Sequence, residues 1–388
     1  MNRRRGLLPA ALAVLAALAV GISLLILAES GNAMEKNIAK ALREQKAQGS
    51  FMAQGQEALG GQIEKLAGKL GFRGAVLAAQ GDEILYAGAF GDADENGTPN
   101  ALDTVFAVGS VSKQFTAAAV LQLASEGKLS LTDPITDYYP EYTGGKGITL
   151  KHLLNMCSGV GRDFWSMALA LGELSNMAQA DLFQLQKHSE AELLDLICRS
   201  PLEFAPGERY MYSNVNYWLL AGVVTKASGM AYQKYVQKQL FSPCGMDGAF
   251  LDFEGTMAFG HNASGRTREN AILYEGAGTV CASILDLFRW SRALHGGSVL
   301  SESAYRVMTA PAQEHYAMGL VAEDDGLLWH NGQLNGYNAY QCYAPAEGIT
   351  LILLSNSRVY RFHGAVKDFP AEDMAPILLK YVRQALQQ

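Results

Sequence analysis

Apolar runs at the two ends of the chain predict β-strands. Near the N-terminus, RGAVLAAQ and EILYAGAF are separated by Gly81-Asp82, which is typical of a tight hairpin. Near the C-terminus, further runs predict successive strands in HYAMGLVAE, LLWHNG, NAYQCYAP and GITLILLSN. The residues between about 110 and 294 are mostly helical or loop-like. This pattern predicts an antiparallel sheet completed by both chain ends, with an inserted helical lobe.

Two helices are predicted to flank these strands. One apolar face recurs at helical spacing ahead of the hairpin, at Leu59, Ile63, Leu66 and Leu70. Residues 371–386 predict a closing helix after the last strand. We therefore expect a single folded domain over residues 58–388, with the helical lobe at roughly 115–294.

The start of the chain follows a different pattern. Three arginines, at positions 3 to 5, precede an uncharged apolar run at 7–28 that is long enough to span a bilayer as a helix. Its length favours a membrane anchor, and small residues downstream leave a cleaved signal peptide as the alternative. Residues 1–28 therefore predict export, with the rest of the chain outside the cytoplasmic membrane, anchored or secreted. Residues 29–57 are polar, without a sustained apolar stripe, and are expected to be a linker.

Composition narrows the class of protein. The 388 residues are 49% hydrophobic and 18% charged, which suits a globular protein with a large core. The net charge of -7, with no basic stripe, argues against nucleic acid as a partner. Five scattered cysteines lack C-x-x-C spacing, which leaves one disulfide open, and the seven histidines lack metal-binding spacing. We expect no metal site.

A serine and a lysine stand one helical turn apart in VFAVGSVSKQFTAAAVLQL, where an apolar strand becomes an alanine-rich helix. Ser110 is placed to begin the helix, and Lys113 lies on the same face one turn further on. The N–H groups at a helix start can stabilise an oxyanion, and a buried lysine favours its neutral form. The pair therefore predicts a nucleophile and its base, with a plain helix cap as the alternative role of Ser110.

The same spacing occurs a second time in the chain. Ser125 and Lys128 also match S-x-x-K, but they lie at a predicted helix end beside Gly127. This copy lacks both the helix start and the burial. The motif alone is therefore not specific, and the rest of the sequence must decide.

Two further motifs follow in order along the chain. Y-S-N at 212–214 lies in PGERYMYSNVNYWLLAGVV, and H-N-G at 330–332 lies in LLWHNGQLNGYNAY, at the end of a predicted strand. This set resembles the penicillin-recognising serine hydrolases, in the branch that holds class C β-lactamases, D-aminopeptidases, DD-carboxypeptidases and related esterases. ITLKHLLNMCSGV adds to the resemblance, which extends from about residue 72 to 386. It implies an α/β fold of the α+β, β-lactamase/transpeptidase-like type.

The resemblance also implies roles for individual residues. Ser110 would be the acylated nucleophile, and Lys113 its base or proton relay. Tyr212 would pass the proton to the leaving group and later activate the deacylating water, with nearby positive charge favouring its phenolate. Asn214 would hydrogen-bond both Lys113 and the substrate amide. The backbone N–H groups of Ser110 and Gln333 would form the oxyanion hole.

The third motif departs from the K-T-G pattern of the lactamases. Histidine replaces lysine at His330 and asparagine replaces threonine or serine at Asn331, while Gly332 is retained. A histidine near its reference pKa is mostly neutral at pH 7, so it should attract a substrate carboxylate only weakly.

We therefore expect a serine hydrolase that acts on small-molecule or peptide esters and amides and uses no metal or organic cofactor. The alternative within the family is a class C-type β-lactamase or penicillin-binding DD-peptidase. The alternative from another class is a catalytically slow acyl-binding or scaffolding protein, because family resemblance does not guarantee turnover.

Overall fold

A seven-stranded antiparallel sheet forms the centre of the fold. The computed structural model describes residues 33–388, apart from 177, 181–182, 184–185, 254–256, 262–270, 358–359, 363–364 and 368–369, and no side chain between 358 and 370. The strands are β1 (Ser50–Met52), β2 (Gly74–Gln80), β3 (Glu83–Phe90), β4 (Val105–Ala107), β5 (Cys281–Ser283), β6 (Val321–Ala322), β7 (Leu328–Leu334), β8 (Tyr337–Ala344), β9 (Ile349–Ser355), β10 (Tyr360–Phe362) and β11 (Ala365–Lys367). The main sheet has the order β1-β3-β2-β9-β8-β7-β6; β4 pairs with β5 and β10 with β11.

Both ends of the chain build the main sheet, as the sequence predicts. β2 and β3 form the expected hairpin, in which Gln80 pairs with Glu83 across a two-residue connection. β7, β8 and β9 are the expected C-terminal strands, and β2 pairs with β9 along its whole length. The run HYAMGLVAE differs from expectation, because strand pairing there is limited to β6.

Helices cover both faces of the sheet and fill the middle of the chain. They are α1 (33–48), α2 (Glu57–Leu70), α3 (Lys113–Ser125), α4 (Leu150–Leu154), α5 (Phe164–Ala170), α6 (Glu190–Arg199), α7 (Asn214–Ser228), α8 (Tyr232–Val236), α9 (Ile284–His295), α10 (Glu302–Thr309) and α11 (Pro370–Ala385). α2 and α11 are the two predicted flanking helices. The predicted α+β architecture is therefore confirmed.

Alternate residues of β2 face opposite sides of the sheet, so each side has its own core. Val76 packs into a core that α2 and α11 cover. Leu77 packs into the larger core, which is shared with α3, α7 and α9. In that core Phe115 of α3 stacks on Trp290 of α9, with 4.0 Å between ring centroids. This packing anchors α3, whose first residue is Lys113, against the sheet.

The segment expected to be a linker differs in the structure. Residues 33–48 form α1, and β1 pairs with β3 at the edge of the sheet, with Phe51 opposite Ala87. Ile38 and Ala41 of α1 are buried in the larger core. The apolar stripe of α1 is short and built partly from small residues between polar ones, which is why the composition indicated a linker.

The predicted anchor or signal peptide at 1–28, and the first residues of the predicted linker, lie outside the described residues. Among the helices that the structure describes, none is long and apolar enough to cross a membrane.

Candidate active site

Ser110 lies in a 3₁₀ turn, Gly109–Ser112, that leads directly into α3. The α-helix thus begins at Lys113, slightly later than the sequence predicts. Ser112 secures the turn, because its Oγ accepts a hydrogen bond from the Val280 amide at 3.0 Å. Gly109 has a φ of +54°, which a side chain would strain. Ser110 itself is partly exposed, so its hydroxyl is accessible.

Lys113 is fully buried and has three oxygen neighbours. Its Nζ lies 2.9 Å from Ser110 Oγ, 2.9 Å from Asn214 Oδ1 and 2.8 Å from the carbonyl oxygen of Ala277. Burial holds the pKa of Lys113 well below its ordinary value, and the negative charge of Asp163 opposes this only in part. A lysine held in this way is a base next to a serine hydroxyl.

Tyr212 stands beside this pair. The Lys113 Nζ is 4.8 Å from the centroid of the Tyr212 ring. Burial raises the pKa of Tyr212 well above its ordinary value, and the nearby Ser110 hydroxyl opposes this only in part. The expectation of a charge-stabilised phenolate is therefore wrong for this structure. The neighbouring lysine favours its neutral form and supplies little positive charge.

Asn214 begins α7, and the residue before it fixes its position. Ser213 caps this helix by accepting a hydrogen bond from the Asn216 amide at 3.3 Å. The Asn214 side chain then uses both ends of its amide. Oδ1 accepts from Lys113, and Nδ2 donates to Asp163 Oδ1 at 2.8 Å.

His330 of β7 is buried, with 2% of its surface exposed. Its Nδ1 lies 2.6 Å from the Asn331 carbonyl oxygen, and its Nε2 lies 3.4 Å from the Tyr316 hydroxyl. Burial is the main cause that lowers the pKa of His330 to about 3, with Lys113 adding to it. The expectation of a pKa near the reference value is therefore wrong, but the conclusion that this histidine is neutral at pH 7 becomes stronger.

Gly332 and Gln333 lie on the edge of β7 that faces the Ser110 turn. β6 pairs with β7 only at Leu328 and Trp329, so among the described residues no strand pairs with this part of the edge. A Cβ atom on Gly332 would lie 1.9 Å from the Val108 carbonyl oxygen, so only glycine permits this approach. The contact brings the Gln333 amide next to Gly109 and Ser110.

The structure thus brings together all seven residues that the sequence singled out. It adds two that the sequence did not. Asp163 precedes α5, and its pKa is raised by burial and lowered in part by Asn214 and Lys113. Ala277 contributes a backbone carbonyl, for which a side-chain pattern gives no signal.

Metal and disulfide chemistry receive no support from the described part of the chain. Its His, Cys, Asp and Glu side chains form no group of three or more that could hold a metal ion. All five cysteines are free thiols, and Cys281 and Cys342 are buried.

An S-x-x-K pair with a buried lysine, joined to Y-x-N and to an x-G strand of an antiparallel sheet, defines the class of penicillin-recognising serine hydrolases. The chain belongs to the beta-lactamase family, whose model matches residues 59–371.

Individual relatives agree with this membership. PbpX of Bacillus subtilis (strain 168), provisionally named a penicillin-binding protein, is 28% identical over 299 residues, which cover 74% of this chain and 71% of PbpX. A D-aminopeptidase of Brucella anthropi is 27% identical over 304 residues, or 73% of this chain, but the match spans only 56% of that enzyme.

The crystal structure of a penicillin binding protein from Bacillus halodurans has the same fold. It superposes with a TM-score of 0.63 at 23% identity, over 76% of this chain and 95% of that one. The predicted β-lactamase/transpeptidase-like fold is confirmed.

Proposed function

We propose that this protein is a serine hydrolase that cleaves esters or amides, peptides included, through an acyl-enzyme on Ser110. The observation that carries the proposal is the buried Lys113 Nζ at 2.9 Å from Ser110 Oγ. A neutral amine in this position takes the hydroxyl proton as the oxygen attacks a carbonyl carbon. The three motifs lie together at one site. If Ser110 only capped a helix, the other two motifs would not need to lie beside it.

Each neighbour then has a chemical role. The amides of Ser110 and Gln333, beside Gly332, stabilise the oxyanion of the tetrahedral intermediate. Tyr212 enters the reaction as a phenol and relays a proton between the Lys113 ammonium and the leaving group. Lys113 acts first because its pKa is lowered, which favours the neutral amine, whereas the pKa of Tyr212 is raised, which favours the phenol. Asn214 holds Lys113 and is positioned to meet the substrate amide.

The neutral His330 favours substrates without a free carboxylate near the third motif. A lysine there attracts a carboxylate, whereas a histidine with a pKa of about 3 carries no charge at pH 5 to 8. We therefore propose small esters and amides ahead of β-lactams, and the similarity to a D-aminopeptidase supports this order. The similarity to PbpX keeps a penicillin-binding or β-lactamase activity as the second candidate.

The proposed location is outside the cytoplasmic membrane, with the apolar run at 7–28 as anchor or signal peptide. The arginines at positions 3 to 5 support this orientation. We propose residues 58–388, with the helical lobe at roughly 115–294, as the hydrolase domain, together with α1 and β1, which pack onto it. Protease added to intact spheroplasts should digest that domain, and protection of it alongside cleavage of an external control would contradict this location.

Covalent labelling tests the activity most directly. Intact mass after incubation with a fluorophosphonate should show one adduct, on Ser110. p-Nitrophenyl esters, D-amino acid amides and penicillins should then compete for that site in the order of their reactivity. Labelling at another serine would overturn the assignment. An adduct without turnover of any substrate would favour the slow acyl-binding alternative.

A further inference from the structure

A chain of four polar groups runs from the nucleophile to a buried carboxylate. Ser110 Oγ, Lys113 Nζ, the Asn214 amide and Asp163 Oδ1 are joined by contacts of 2.9, 2.9 and 2.8 Å. In this series of hydrogen bonds, Asp163 is not bonded directly to Ser110 or Lys113. Its link to them passes through the side-chain amide of Asn214. A rotation of this amide by 180° exchanges its acceptor, Oδ1, with its donor, Nδ2.

The donors and acceptors around Lys113 determine which way its hydrogen bond to Ser110 points. A neutral amine has two N–H donors and one lone pair. The Ala277 carbonyl and the Asn214 Oδ1 atom can only accept, so they take both donors. The lone pair is then left for Ser110, whose hydroxyl donates to Lys113. This is the direction that proton transfer requires.

Reversing the Asn214 amide would remove that direction. Its Nδ2 group would then donate to Lys113 and occupy the lone pair. Ser110 would have to accept a hydrogen bond from the remaining N–H, and its own proton would have no base. The distances would hardly change, because amide oxygen and nitrogen are nearly equal in size.

The segment that contains Asp163 is fixed against the start of α7. The Ser213 Oγ donates to the Gly161 carbonyl at 2.7 Å, and the backbone N–H of Asn214 donates to the Arg162 carbonyl at 2.8 Å. The bond from Asn214 Nδ2 to Asp163 is the third contact in the same series. The carboxylate is therefore held opposite one end of the Asn214 side chain.

We propose that Asp163 is a positioning residue, which holds the Asn214 amide in one orientation and so directs the lone pair of Lys113 towards Ser110. As Ser110 Oγ forms its bond to the substrate carbonyl carbon, the hydroxyl proton moves to Lys113 and the carbonyl π electrons move to the oxygen. Lys113 becomes an ammonium, which later returns the proton to the leaving group. This inference rests on the proposed function and adds the residue that sets the direction of its first step.

The test compares acylation rates of Asp163→Asn and wild type, with a fluorophosphonate and with neutral p-nitrophenyl acetate. The asparagine is nearly isosteric but can present either oxygen or nitrogen, so Asn214 is free to turn. We expect acylation to slow by about 10- to 100-fold, with KM for the neutral ester little changed. Ser166→Ala is the matched control. It removes the hydrogen bonds between the Ser166 hydroxyl and the Asp163 backbone but keeps both the Asp163 carboxylate and the Asn214 side chain, and should stay within about twofold of wild type.

Two double variants sharpen the result. If Asp163 acts through Asn214, then Asp163→Asn should have little further effect in an Asn214→Ala background. Asp163→Asn combined with Asn214→Asp exchanges the pair, so that an oxygen again faces Lys113 whichever way residue 214 turns. This exchanged variant retains a hydrogen-bonded pair and should fold even if Asp163→Asn does not. On its pH plateau it should acylate within about tenfold of wild type.

Several outcomes would overturn the inference. These are wild-type acylation in Asp163→Asn, a full loss that persists in the Asn214→Ala background, and a folded exchanged variant whose acylation on its pH plateau is more than tenfold below wild type. A raised KM for cationic substrates alone would instead make Asp163 a substrate contact. Wild-type chain that is not labelled at Ser110 would defeat the proposed function itself, whereas a labelled wild type with an equally fast Asp163→Asn variant defeats this inference alone.

Discussion

The chain contains S-x-x-K twice within 19 residues, at opposite ends of α3, and the two copies differ in almost everything except spacing. At the first, Lys113 is buried and its Nζ contacts Ser110 Oγ at 2.9 Å. At the second, Ser125 donates to the Leu121 carbonyl at 2.9 Å, and Lys128 pairs with Glu126 at 2.7 Å with about half of each side chain exposed. The second serine lies at the end of a helix, and its lysine forms an exposed ion pair.

The difference shows that the chemistry of this motif comes from burial and partners. Both lysines are three residues from their serine. Lys113 loses its hydration, which favours the neutral amine, and its N–H groups are taken by two acceptors. Lys128 stays in contact with water and pairs with the Glu126 carboxylate at the surface. A motif that two sites share therefore predicts a base at only one of them.

The largest expected effect separates the two serines. Ser110→Ala should abolish fluorophosphonate labelling and lower kcat/KM for a p-nitrophenyl ester by about 10⁴-fold or more, because the nucleophile is lost. Ser125→Ala should leave both unchanged. Intact-mass analysis and steady-state kinetics of the two variants provide the measurement, and labelling that moves to Ser125 would break the comparison.

The two lysines should differ almost as widely. Lys113→Met removes the base and should slow acylation by about 10²- to 10⁴-fold. Lys128→Met changes only an exposed ion pair and should acylate at the wild-type rate. Stopped-flow acylation at pH 8 measures both. Similar losses in the two variants would show that burial of the first copy is not what makes it reactive.

The pH dependence of stability gives a smaller but more specific contrast. Because the pKa of Lys113 is lowered on folding, the unfolded chain binds one more proton than the folded chain between the two pKa values. Wild type should therefore gain stability over Lys113→Met as the pH rises between 7 and 10, by up to about 1.4 kcal/mol per pH unit once the folded lysine has lost its proton. Urea unfolding of both proteins across this range measures the slope, and a flat difference would mean that Lys113 is charged in the folded protein.

The smallest effect is expected at the second lysine. Lys128→Met should change the free energy of unfolding by no more than about 0.5 kcal/mol, because exposed ion pairs contribute little. The change should shrink further in 1 M salt, where surface charges are screened. A larger, salt-independent loss would indicate a structural role for the second copy that its contacts do not suggest.

Much of the fold follows from apolar patterns that are long or strongly periodic. The β2–β3 hairpin and strands β7 to β9 were predictable because each is a continuous buried or half-buried run. α1 was not, since its buried face offers Ile38 and Ala41 among polar neighbours. The short β1 strand was hidden for a related reason. Its position depends on pairing with β3, which no local pattern in residues 50–52 encodes.

The candidate site was predictable where side chains carry it. Ser110 and Lys113 are close in sequence and lie on one helical turn. The motifs at 212–214 and 330–332 supply the other side chains of the site. The direction in which the pKa of Tyr212 shifts was not predictable, because it depends on burial of the side chain among other tyrosines. Ala277 acts through its backbone, and Asp163 is defined only by its distance to Asn214. Such contributions become visible only in three dimensions.

The pairing of β2 with β9 also has a consequence for how the chain is made. Roughly 270 residues separate the end of β2 from the start of its partner. At about 5–20 residues per second, the ribosome needs on the order of 10–50 s to supply that partner. Until then the β2 edge is unpaired and Lys113 lacks the completed sheet that packs beside it. The nascent chain is therefore exposed to aggregation during this interval, and it cannot assemble the reactive centre until its last strands have been synthesised.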